Sequence, residues 1–108
     1  MIKLSGKIRQ IFEIDSFTSA EGKNFDKRAF WLEDTATTYP NVWQLELWNK
    51  DCPMIDSYNV GDFVTAYIDI KGKHWRSKNG EGKEGVMNTL KCWNIEKEGK
   101  PYKEIVKE

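Results

Sequence analysis

Reactive and metal-binding side chains are scarce in this chain, whose 108 residues include one histidine, two cysteines and three prolines. Cys52 and Cys92 lie far apart and neither belongs to a CxxC pair, so neither a disulfide framework nor a redox motif is expected. Together with His74 they are the whole stock of soft ligands, and they lack the close spacings of a zinc site. No metal and no cofactor is therefore expected. His74 has no nucleophile elbow near it and the carboxylates form no recognisable pair, which leaves no active site to propose and points to a protein that is not an enzyme. No apolar run approaches the roughly 18 residues of a membrane span, and Met1-Ile2-Lys3-Leu4 does not open a signal peptide. The expectation is a cytoplasmic protein with no membrane partner.

Net charge is missing as well: 17 Lys and Arg offset 17 Asp and Glu. Its distribution is uneven. Residues 1–31 carry six basic against four acidic side chains, residues 32–70 one against seven, and residues 71–97 seven against three. A polyanion partner depends on whether the basic segments converge in space.

What the chain has in quantity is aromatic surface, 13% of residues with five tryptophans. Its length suits a single domain with one core. Leu4, Gly6 and Ile8 alternate with polar residues as a first strand whose phase slips beyond Gln10. Asp15 to Lys27 has loop composition. Phe30 and Leu32 mark a second strand, and Trp43, Leu45 and Leu47 a third with one wet side. Asp51-Cys52-Pro53 places a cap and a proline where a short helix can start. Val64, Ala66, Ile68 and Ile70 form a fourth strand. Lys71 to Gly85 is charged and glycine-rich and reads as a second long loop, and Val86 to Lys97 recovers strand character. Residues 98–108 read as a polar tail on a domain of residues 1–97.

Five strands, a short helix between the third and fourth, and long loops after the first and fourth predict an all-β, five-stranded OB-fold Greek-key barrel. In that fold the two loops flank one groove on the outer face of strands two and three. Trp31 and Trp48 fall on the wet phase of those strands and Tyr67 on the wet phase of the fourth, so they are candidate stacking platforms for bases. Trp43 and Trp93 are expected in the core. In the second loop, Lys73, His74, Trp75, Arg76 and Lys78 read as a mobile clamp, with cations for phosphates and an indole for a base. Arg28 joins them as a phosphate contact. Gly80-Glu81-Gly82-Lys83-Glu84-Gly85 matches GxGxxG but opens no helix within a βαβ unit, and its carboxylates would repel a pyrophosphate, so a dinucleotide site is rejected.

Leu4-Ser5-Gly6-Lys7-Ile8, Thr18-Ser19-Ala20 with Gly22, Phe25 and Lys27, Phe30 with Leu32-Glu33, Tyr39-Pro40, Leu45, Leu47-Trp48, Tyr58, Val60-Gly61-Asp62 and Leu90, Cys92, Trp93-Asn94-Ile95-Glu96 follow one another in an order and spacing that resembles a small bacterial and phage OB-fold family. That family is classed as a domain of unknown function and is related to single-stranded DNA-binding proteins. The resemblance implies a largely sequence-independent binder of single-stranded DNA, with RNA as the alternative nucleic acid. It implies action in replication or recombination, homo-oligomers and replication or recombination proteins as further partners, and the host cytoplasm if the gene is a phage's. The acidic tail of cellular single-stranded DNA-binding proteins is absent here, so tail-mediated recruitment is not implied. A module that grips protein in the same groove is the competing expectation, and oligosaccharide binding, insensitive to salt, is a third.

Overall fold

Ile8, Phe30, Leu32, Leu45, Leu47, Ile55 and Val64 are wholly excluded from solvent, and the elements that carry them wrap around one apolar interior. The computed structural model describes residues 2–34, 38–78, 80 and 82–97; the expected tail from 98 to 108 lies outside them. Strands run over Ile2–Ile11 (β1), Asp15–Thr18 (β2), Asn24–Asp34 (β3), Asn41–Trp48 (β4), Phe63–Arg76 (β5) and Glu84–Lys97 (β6), with a 3-10 helix over Asn49–Ser57. Among the described residues no helix is long and apolar enough to cross a membrane.

Five of the strands close into a ring, in the order β1, β5, β6, β4, β3 and back to β1, with β4 and β6 parallel and the other neighbours antiparallel. This is the ring of an OB fold, as the order of strands and short helix predicts. β1 serves both ends of it: Ile2 to Lys7 pair with β5 and Lys7 to Ile11 with β3, across a bulge between Ile8 and Gln10 that lets the strand bend from one sheet to the other. Gly6 sits at that crossing, where a Cβ would stand 2.3 Å from the Glu33 carbonyl oxygen. The 3-10 helix closes the barrel with buried Cys52 and Ile55, while Met54 and Tyr58 pack beside them.

Two segments expected as loops are strands. Asp15 to Lys27 contains β2 and the start of β3, a hairpin in which Phe17 faces Phe25 and the pairs Ser16–Asp26 and Thr18–Asn24 are hydrogen-bonded at 2.7 and 2.9 Å. The sheet thus has a sixth strand, β2, which extends β3 outside the five-stranded ring. Lys71 to Gly85 likewise continues the β5–β6 ladder as far as Arg76 and Glu84. Composition argued against this because glycine and lysine have low strand propensity, yet in a hairpin each rung is held by the rung before it. Fourteen residues of β5 span about 46 Å, more than a small barrel is wide, so the hairpin projects as an arm. The radius of gyration, 16.6 Å, exceeds the roughly 13 Å of a compact chain of this length accordingly.

Candidate nucleic-acid interface

Strand alternation decides which side chains the barrel shows to solvent. On β3 and β4 the rungs Phe30–Leu45 and Leu32–Trp43 point inward, while Trp31–Gln44, Ala29–Glu46 and Lys27–Trp48 point outward. Trp43 is partly buried against the core, as expected. Arg28 shares the inner phase. Its guanidinium donates to the carbonyls of Phe12 (2.8 Å) and Cys52 (3.2 Å) and to Asp56 (2.9 Å). It ties β3 to the 3-10 helix and does not face the interface; its expected phosphate role is withdrawn on that ground.

Trp31 is half-buried, edge-on to Phe12 with ring centroids 5.0 Å apart, and its Nε1 donates to Gln44 Oε1 at 3.1 Å. A depression of about 310 Å³ opens beside it, lined by Arg9, Trp31, Val42 and Gln44. Trp48, also half-buried, donates from Nε1 to Glu46 Oε1 at 2.9 Å. The ammonium groups of Lys91 and Lys27 lie 4.7 and 5.5 Å from its ring centroid, a cation–π arrangement that keeps two positive charges beside an indole. The first hairpin adds aromatic surface to the same face: Phe17 and Phe25 stack at 5.4 Å, and Lys27 reaches the Phe25 ring at 5.8 Å.

The arm carries the strip onward. Asp69–Lys91, Lys71–Thr89, Lys73–Met87 and Trp75–Gly85 are successive rungs of one face, the face on which Lys91 meets Trp48. Trp75 is 45% exposed and its indole lies on Gly85, where a Cβ would come within 2.8 Å of the ring. A bare glycine opposite the tryptophan is what lets the ring lie flat across the ladder. The expected clamp of five residues is split by the pleat. Lys73 and Trp75 join the strip, whereas His74 and Arg76 point to the reverse face, each paired with Glu84, at 3.7 and 3.6 Å. Lys78 is exposed beyond the last rung.

Trp93 is not core. It is 38% exposed and packs on Tyr67 at 5.4 Å, because a bulge opposite Tyr67 and Ile68 leaves it between two ladder positions. The spacing Leu90, Cys92, Ile95 carries this signal: two apolar residues at strand period followed by a step of three. Tyr67 itself is half-buried, donates to Glu96 and receives the Lys3 ammonium 5.4 Å from its ring centroid. Lys27 and Lys91 escaped sequence reasoning because a lone lysine in a strand has no pattern; only the fold brings them to Trp48. Burial pushes the Cys92 thiol up to about 12 and raises that of Cys52 also, and among the described residues no three His, Cys, Asp or Glu side chains converge as a metal site.

Structures with this architecture share little sequence with the chain. The mitochondrial single-stranded DNA-binding protein Rim1 of S. cerevisiae superposes with a TM-score of 0.59 at 17% identity, over 89% of this chain and 91% of that one. The second OB-fold domain of replication protein A from Methanococcus maripaludis gives 0.56 at 15%, over 91% and 83%. A Plasmodium falciparum single-stranded DNA-binding protein in complex with single-stranded DNA gives 0.51 at 12%, over 90% and 92%. At such identities the likeness establishes the OB fold. Among curated proteins, none matches the sequence. The family model of a domain of unknown function, DUF3127, matches residues 3–96, and the chain belongs to that family.

Proposed function

We propose that the protein binds single-stranded DNA along this strip, by base stacking and phosphate contacts and with little dependence on sequence. The observation that carries the proposal is the alternation of flat rings and ammonium groups on one continuous face: Phe17–Phe25, Lys27, Trp48, Lys91, then Lys71 and Lys73, then Trp75. Every base has a π-face, and stacking on an aromatic side chain contributes about 1–3 kcal/mol per base. Lysines between the rings meet the phosphates between the bases. The solved structures of similar fold that are single-stranded DNA-binding proteins support the proposal. Work on transiently exposed single strands, in replication or recombination, is the corresponding role.

Intrinsic tryptophan fluorescence titrated with a mixed-sequence single strand, and separately with its duplex, tests it. The single strand should quench and the duplex should do so weakly, since stacking needs unpaired bases. No quenching by the single strand would refute the proposal. Glu46 and Asp69 on the same face favour a second reading, a peptide-binding groove; binding that survives high salt without any response to oligonucleotide would select it.

A further inference from the structure

Between the two indoles of the barrel face lies a notch. Trp31–Gln44, Ala29–Glu46 and Lys27–Trp48 are alternate rungs of the β3–β4 ladder, and all six side chains leave the same face. The outer two rungs stand about 13 Å apart, and Ala29 fills the middle with a methyl group only. The polar groups around the gap are held in place. An indole N–H can only donate, so the bond from Trp31 Nε1 fixes the Gln44 carbonyl toward that ring and leaves the amide NH2 as a donor. In the same way the bond from Trp48 Nε1 engages Glu46 Oε1, and Lys27 lies 3.9 Å from that oxygen. Both of these contacts are to Oε1, so the second carboxylate oxygen of Glu46, on the rung between the two indoles, is available as an acceptor.

We propose that Glu46 reads the edge of a base stacked in this notch, so that cytosine, which bears an exocyclic amino group, is favoured over thymine. The inference rests on the single-strand reading above and adds a preference to it. Cytosine offers an N4 amino group at the corner of its ring, a donor that a carboxylate accepts well. Thymine presents O4 at that corner, and its one ring N–H is recessed between two carbonyl oxygens that repel a carboxylate. Gln44 supplies a donor that either pyrimidine can use and does not discriminate. Lys91, in parallel register with Glu46, supplies the cation for the adjoining phosphate.

Anisotropy of labelled oligocytidine and oligothymidine of equal length, on the whole chain at one ionic strength, measures the preference. Oligocytidine should bind about fivefold more tightly, the lower end of base discrimination by a good hydrogen bond. Glu46→Gln should invert the order: the new carbonyl takes the Trp48 N–H and the amide NH2 replaces the carboxylate in the notch. A readout on the unaltered protein keeps the test independent of how that variant folds. An oligonucleotide of N4,N4-dimethylcytosine retains the ring but has no N4–H, and should bind no better than oligothymidine. Equal affinities for the two homopolymers, or undiminished binding of the dimethylated strand, overturn the preference while single-strand binding stands. Failure of every strand to bind overturns the single-strand proposal, and the preference with it.

Discussion

Truncating Trp75 separates binding from folding more cleanly than any other change to the strip. Trp75→Ala removes a ring that lies on Gly85 at the far end of the arm, about 20 Å beyond the Asp69–Lys91 rung. If one base stacks there, the loss is about 1–3 kcal/mol, a weakening of roughly 5- to 150-fold in Kd. The ring also buries about half its surface, but on rungs of the arm that take no part in the buried core. The melting temperature should therefore stay within about 4 °C of wild type, since surface changes away from the core fall within about 0.5 kcal/mol. Anisotropy of a labelled single strand gives the first number and a thermal melt the second. An unchanged Kd would remove Trp75 from the interface. A melt lowered by many degrees would mean that the ring supports the barrel and that Trp75 acts on the fold.

Lys27→Ala and Lys91→Ala should each flatten the slope of log Kobs against log salt by about 0.7, the share of one neutralised phosphate on a single strand, in a titration series from low to high salt. Lys73→Ala should do the same, whereas Arg76→Ala, on the reverse face with Glu84, should leave the slope nearly unchanged. Arg28→Ala should instead act on the fold, since it strands two backbone carbonyls and Asp56; a loss of about 2–4 kcal/mol in denaturant unfolding is expected. The Cys92 thiol, held protonated by burial up to about 12 against an ordinary 9.0, should resist thiol reagents in the native state. Because its folded pKa is raised, the stability it contributes is complete below pH 9.0 and declines as pH climbs toward about 12. Reaction of Cys92 at the native-state rate of an exposed thiol would contradict the burial.

Much of the barrel is legible in the chain because burial imposes a period. Val64, Ala66 and Ile68 alternate without a break, all three are buried in β5, and the outward phase of Trp31 and Trp48 follows from the same rule in β3 and β4. The rule holds only while the period does. At Trp93 a bulge shifts the phase by one residue, and a side chain expected inside emerges beside Tyr67. Arg28 has the phase of the core and a charge that belongs outside; the carbonyls of Phe12 and Cys52 and the Asp56 carboxylate resolve that conflict, and those partners are distant in sequence.

The interface shows the same division. Its flat rings are visible in composition, and their alternation with polar residues places several of them on the wet side, since strand pleating is a local property. The joining of Lys27 and Lys91 at Trp48, and the parting of Lys73 and Trp75 from His74 and Arg76, come from cross-strand register and the continued ladder of the arm. Register is a relation between segments far apart in the chain, set where the barrel closes, so it belongs to the tertiary structure alone.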